Sequence, residues 1–196
     1  IAHRGLHCSK LEIPENSIEA FEECIKYNFP IELDVMMTKD KRIIVFHDIN
    51  LKRMTGCDKL VSECTYSEIS NLRLDDTESH IPLFSDVLNT VNGSVPLLIE
   101  IKNDKLPSVL EKKLVKMLGE YKGELAVQSF NPLVILWLRI FARKIKRGQL
   151  SSGGMSCFLR NMVFNFITKP DFISYRFNDI GLSLFLKAKR NNIPLI

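Results

Sequence analysis

Four short apolar runs end in, or are interrupted by, side chains that could do chemistry. His3 and Arg4 follow Ile1-Ala2, Glu32 and Asp34 alternate with Ile31, Leu33 and Val35, His47 and Asp48 follow Ile43–Phe46, and Glu100 and Lys102 close Leu97–Ile101. In an extended chain, alternation by two places Glu32 and Asp34 on one face and their apolar neighbours on the other. The same spacing aligns Glu100 with Lys102. Charges turned towards a packed interior are costly unless they are paired, coordinated or used. Three carboxylates, Glu32, Asp34 and Glu100, with no cysteine or histidine metal motif beside them suit a hard divalent cation, Mg²⁺ or Ca²⁺, better than zinc. Two imidazoles, His3 and His47, could divide proton removal and proton donation, because imidazole titrates near neutral pH. With a divalent ion, Arg4 and Lys102 set against the three carboxylates, one positive charge remains. That matches the single negative charge of a phosphodiester.

Positioning these groups requires several strands ending at one mouth. Strand-like runs are predicted at 1–3, 31–36, 43–46, 95–101, 125–128, 148–151, 171–174 and 193–196, with helical patterns at 16–27, 67–72, 84–91, 106–121, 133–147, 155–167 and 181–190. Alternating strands and helices imply a parallel sheet, and eight strand candidates imply a TIM-type (β/α)8 barrel whose last strand is incomplete. The chain reads as a single catalytic domain over 1–196, trimmed at the C-terminus. A doubly wound open sheet is the structural alternative, but its glycine-rich first turn is missing: the residues there are Arg4-Gly5-Leu6. In barrels of this kind catalytic residues come from the C-terminal ends of several strands, as all four sets here would.

Composition narrows the classes. With 196 residues, 45% of them hydrophobic, the chain can bury a sizeable core, and no apolar run is long enough to span a bilayer. A formal charge of +4, spread along the chain, gives only weak support to a nucleic-acid partner, which is not expected, and suits a small anionic substrate as well. Five cysteines without a Cys-x-x-Cys pair indicate neither a disulfide framework nor a zinc ribbon, and point to the cytoplasm, with a removed leader left open. Oligomeric state is not encoded in any recognisable pattern.

The ordered set His3-Arg4-Gly5, Pro14-Glu15-Asn16-Ser17, Glu32-x-Asp34, His47-Asp48 followed by Leu51, Arg53, Thr55 and Gly56, then Glu100-x-Lys102 and Gln128-Ser129-Phe130-Asn131-Pro132 resembles the glycerophosphodiester phosphodiesterases. Each motif is weak alone; their order over nearly the whole chain is specific. The resemblance implies a TIM barrel that hydrolyses glycerophosphodiesters, such as glycerophosphocholine or glycerophosphoethanolamine, to sn-glycerol 3-phosphate and an alcohol. It also implies metal on Glu32, Asp34 and Glu100, acid/base catalysis by His3 and His47, and phosphate contacts from Arg4 and Lys102.

Plainer readings compete at several positions. Pro14–Ser17 reads as a turn with Asn16 or Ser17 capping a helix, His7 and His80 as surface residues, and Gln128 equally as a barrel hydrogen-bonder or a substrate contact. The basic helix 133–147 reads as core-packed, and the apolar stretch 155–172 as a surface that would face lipid or a partner. Two other functions are weighed: attack on a lipid-bearing diester, as by a lysophospholipase D or a phosphoinositide phosphodiesterase, and a non-catalytic barrel that only binds.

Overall fold

The computed structural model describes residues 1–151, 165–175 and 194. It contains two compact units, Ile1–Lys102 with Ser108–Leu125, and Asn103–Pro107 with Ala126–Ile196.

In the first unit, strands β1 (Ala2–His3), β2 (Ile31–Met37) and β4 (Leu97–Ile101) run parallel, with β2 in the middle. Strand β3 (Ile43–Val45) pairs antiparallel with β2. This corrects the count of eight barrel strands, because 43–46 is the return arm of a hairpin. The reason is length: the few residues around Thr38–Lys41 can close a hairpin but cannot make the crossover that a parallel strand needs. Thr38 Oγ1 ties the turn by accepting from Arg42 N at 3.0 Å and donating to Asp40 Oδ1 at 2.6 Å.

β2 is buried on both faces, as a strand between packed layers must be. Its Ile31, Leu33 and Val35 are fully buried, as are Ala20, Phe21 and Cys24 of α1 (Ile18–Lys26) and Phe84, Val87 and Val91 of α4 (Phe84–Val91). Ser17 starts α1: its Oγ accepts from Ala20 N at 3.1 Å and donates to Pro14 O at 2.8 Å. Of the two predicted caps, it is therefore Ser17 that serves. Helix α5 (Val109–Glu120) starts later than its periodicity predicts, because Ser108 and Glu111 form a capping box after Pro107.

Between β3 and α4 the chain makes a long excursion carrying the short helices α2 (Lys52–Thr55) and α3 (Tyr66–Ile69) and a 3-10 turn at Val61–Glu63. It has its own apolar cluster, including Phe46, Leu51, Met54, Val61, Ile69, Leu74 and Ile81. This cluster fixes the loop that carries His47, Asp48 and Arg53.

The second unit has parallel strands β5 (Leu125–Ser129), β6 (Lys146–Ser151) and β7 (Phe172–Tyr175), with α6 (Pro132–Phe141) and α7 (Asn165–Thr168). The helix expected over 133–147 ends at Phe141, since Lys146 and Arg147 pair with Ala126 and Val127 as the start of β6. Asn131 caps α6 through Oδ1, which accepts from Leu133 N at 3.0 Å, while its Nδ2 donates to Asn103 O and Lys105 O. Gln128 accepts a hydrogen bond from Ser174 at 2.8 Å, a partner within its own sheet. Residues 155–164 of the apolar stretch and the helix expected at 181–190 lie outside the described residues, as does the last strand apart from Pro194.

Gly5 shows how tightly the first turn is built. It has φ +83°, and a Cβ placed there would lie 2.8 Å from the Ala20 Cβ. Gly5→Ala is expected to destabilise the chain by about 1–3 kcal/mol, from both the left-handed backbone and the overlap. A thermal melt at fixed pH would check it, and an unchanged midpoint would contradict the close packing of this turn on α1.

Candidate active site

Register brings the predicted carboxylates together. In the parallel pairing of β2 with β4, Asp34 stands opposite Glu100, and in that of β1 with β2, His3 stands opposite Glu32. One ligand oxygen from each of Glu32, Asp34 and Glu100 can be chosen so that all lie within 4.8 Å of one another, and all three residues are buried. This is a group that could hold a metal ion.

The donor set bears on that use. Lys102 Nζ lies 2.7 Å from Glu100 Oε1 and 3.2 Å from Asp34 Oδ1. Neither oxygen, however, accepts a well-directed hydrogen bond among the described residues, and both are buried. Buried carboxylate oxygens that are ion-paired but accept no well-directed hydrogen bond are what a hard cation takes as ligands. The residues fit the ion.

Crowding of charge shows in the proton affinities. Burial first, and then the negative charge of Asp34, push the Glu32 carboxyl up to about 8. Burial likewise raises Glu100, against the pull of Lys102. The Arg4 backbone N–H donates to Glu32 Oε2 at 3.1 Å, and Arg4 Nε lies 3.5 Å from Asp34 Oδ2. Arg4 holds this place in a left-handed backbone, φ +58°, which is uncommon for a residue with a side chain.

Both histidines face accessible surface. His3 is exposed, yet the surrounding protein and then the Arg4 guanidinium hold its imidazole below the ordinary value, against the attraction of Asp34. His47 is partly buried, and its Nδ1 lies 2.6 Å from Asp48 Oδ1. An ionised carboxylate there fixes a proton on Nδ1 and leaves Nε2 as the reactive nitrogen. Asp48 itself is held low: burial opposes this, but the hydrogen bonds from Arg53 and His47 prevail.

Three further residues join the site that sequence reasoning had left as scaffold or unassigned. Asn16, 2% exposed, donates from Nδ2 to Asp34 Oδ2 at 2.9 Å. Glu15 Oε1 accepts from Arg4 Nη1 at 2.9 Å and from Arg53 Nη2 at 2.5 Å. The available signal was their place in the motifs; helix-entry chemistry explained Pro14–Ser17 well enough to hide it. His7 and His80 are exposed and outside the site, as expected.

Comparison with known proteins bears on the fold and the family. A phosphodiesterase from Oleispira antarctica, solved in complex with the product sn-glycerol-3-phosphate, superposes with a TM-score of 0.85 at 20% identity, covering 99% of this chain and 81% of that one. The likeness places the chain in the TIM-type (β/α) barrel class. A glycerophosphodiester phosphodiesterase of Caldanaerobacter subterraneus subsp. tengcongensis is 32% identical over 79% of this chain and 67% of its own length. The Rattus norvegicus lysophospholipase D GDPD1 is 31% identical over 63% of this chain and 42% of its own. The model of the Glycerophosphoryl diester phosphodiesterase family matches residues 3–195, and the chain belongs to that family.

Proposed function

We propose that the chain hydrolyses glycerophosphodiesters, such as glycerophosphocholine or glycerophosphoethanolamine, to sn-glycerol 3-phosphate and an alcohol. In this reading Glu32, Asp34 and Glu100 hold one divalent cation, Mg²⁺ or Ca²⁺, and His3 and His47 form the acid/base pair. The observation that carries it is the convergence of three buried carboxylates within ligand distance of one another, beside two imidazoles and the cations Arg4 and Lys102. Family membership supports the reaction, and the whole of 1–196 is read as one catalytic domain.

When bound, the cation supplies charge neutralisation and an anchor for a phosphoryl oxygen. Arg4 and Lys102 add positive charge where charge builds on the non-bridging oxygens. His3, held below the ordinary imidazole value, is neutral at neutral pH and suited to take a proton from the attacking hydroxyl. His47, with its Nδ1–H held by Asp48, acts in its doubly protonated form and delivers the Nε2 proton to the leaving alkoxide. If the neighbouring glycerol hydroxyl attacks first, the two histidines exchange roles when water opens the cyclic phosphate.

The partner is a small molecule. No helix among the described residues is long and apolar enough to cross a membrane. A cytoplasmic location is part of the proposal, supported by the odd number of cysteines and the lack of a Cys-x-x-Cys pair.

The test is a panel of glycerophosphodiesters with different head groups, with metal depletion and add-back, read as glycerol 3-phosphate release. Release that requires added divalent ion is expected. Release that persists in excess chelator would remove the metal from the proposal, and no release from any diester would remove the function. A lysophospholipid belongs in the same panel. Leu11 and Ile49, on loops following β1 and β3, are 69% and 62% exposed and would suit an acyl chain.

A further inference from the structure

Two arms of the site, one bearing His47 and the other Arg4, come from separate loops. His47 and Asp48 follow β3, and Arg4 follows β1. The only covalent connection between the arms runs through α1, β2 and β3, so their spacing depends on whatever non-covalent link crosses between them.

Arg53, on α2, makes such a link. Its Nε donates to Asp48 Oδ2 at 2.5 Å, and its Nη2 donates to Glu15 Oε1 at 2.5 Å. Asp48 holds His47 through Oδ1, and Glu15 Oε1 also accepts from Arg4 Nη1 at 2.9 Å. One guanidinium therefore closes a chain His47–Asp48–Arg53–Glu15–Arg4, which continues to Asp34 at 3.5 Å. We infer that Arg53 is a positioning residue for the reaction: it locks the Asp48–His47 pair and the Glu15–Arg4 pair into one frame, fixing the acid/base imidazole relative to the arginine that faces the phosphate.

Two features make an arginine suited to this place. A planar guanidinium presents Nε and Nη2 along divergent directions at fixed spacing, which a lysine ammonium cannot do. Each carboxylate also has a second positive or donor partner, so neither is left to satisfy Arg53 alone. Glu15 and Asp48 are both held below the ordinary carboxylate range, although burial opposes it, chiefly through the Arg53 hydrogen bonds. They stay ionised at working pH, and the frame does not depend on protonation. Yet the Arg53 side chain is 48% exposed, so its replacement should leave the fold standing.

This inference rests on the proposed acid/base role of His47, and the experiment separates the two. Arg53→Gln and Arg53→Lys would be made in the full chain and assayed with glycerophosphocholine at saturating divalent ion. The ¹⁵N spectrum of the His47 imidazole would be recorded for both, without substrate. Arg53→Gln is expected to lower kcat by about 10–100-fold while KM moves less than about threefold, with partial recovery in Arg53→Lys or on adding guanidinium salt. The Nδ1 signal should move away from the position of a nitrogen hydrogen-bonded to a carboxylate. In an Asp48→Asn background, Arg53→Gln should cost much less than it does alone. An Arg53→Gln chain with parent kcat and an unshifted His47 spectrum would overturn the inference. If the parent releases no glycerol 3-phosphate while the His47 spectrum still shifts in Arg53→Gln, the functional reading fails and the positioning role stands.

Discussion

Replacing His47 by Ala is expected to lower glycerol 3-phosphate release by about a hundredfold to ten-thousandfold, the range for loss of a positioned proton donor. The loss should fall on kcat. The cations Arg4 and Lys102, proposed to contact the phosphate, and the carboxylates are untouched by the change, so KM should move little. Stability should hold as well, because the His47 side chain is 29% exposed and the apolar cluster beneath its loop is built from Phe46, Leu51 and Met54. Asp48→Asn makes a sharper companion, since it keeps the shape but can present a donor to Nδ1 and so favour the wrong tautomer. His3→Ala should be similarly impaired, and the double variant His3→Ala/His47→Ala should be far better than the product of the single losses, because the two imidazoles serve one proton circuit. Steady-state kinetics with added imidazole as a rescue reagent would check the set. Full activity in His47→Ala would take the acid/base pair out of the mechanism.

How far this site could be read from residue types alone varies with the kind of information each residue carries. The carboxylate face of β2 was legible because alternation by two is a local property, and Ile31, Leu33 and Val35 mark the opposite face unambiguously. The grouping of Asp34 with Glu100 was expected, but the register that sets them directly opposite was not legible, since it is fixed by packing over the whole length of both strands. β3 was recognised as a strand but counted among the barrel strands. Periodicity identifies an extended segment without telling its direction, and only the shortness of the preceding turn pointed to a hairpin. α6 was extended to residue 147 because basic residues fit the wet face of a helix and the start of β6 equally well.

Asn16, Glu15 and Arg53 were harder for a different reason. Asn16 has φ +56° and turns its amide to Asp34, but a left-handed asparagine before a helix is ordinary turn chemistry. Arg53 lies on a four-residue helix and is half-exposed, the usual place for a solvated charge. Its role depends on two partners, one five residues away and one 38 residues away. Pairwise chemistry across loops leaves no periodic trace.

Metal binding and pH should be linked through Glu32. Its carboxyl sits at about 8 in the folded chain because burial and Asp34 penalise its charge, against an ordinary value of 4.5 in the unfolded chain. A folded-state value above the unfolded one stabilises the fold fully below the unfolded value, and that contribution is lost as pH rises through the folded value. The metal-depleted chain should therefore lose stability between about pH 4.5 and 8, by a few kcal/mol at most given that Glu32 shares its proton equilibrium with its neighbours. A divalent cation reverses this, since it favours the ionised form. Adding Mg²⁺ or Ca²⁺ at neutral pH should release close to one proton per chain, and should raise the melting temperature more at pH 8 than at pH 5. Chelation should lower glycerol 3-phosphate release by about a thousandfold or more, recoverable on add-back. Glu32→Gln separates the two consequences: without the buried charge, the metal-free chain should be more stable than the parent at pH 8 while catalysis is lost. Thermal melts in chelator across pH, with calorimetric titration in buffers of different ionisation enthalpy, provide the readout. A flat metal-free stability from pH 5 to 8 with no proton release would mean that Glu32 carries its charge comfortably in the fold, and a carboxylate already satisfied in that way would have little reason to take a cation.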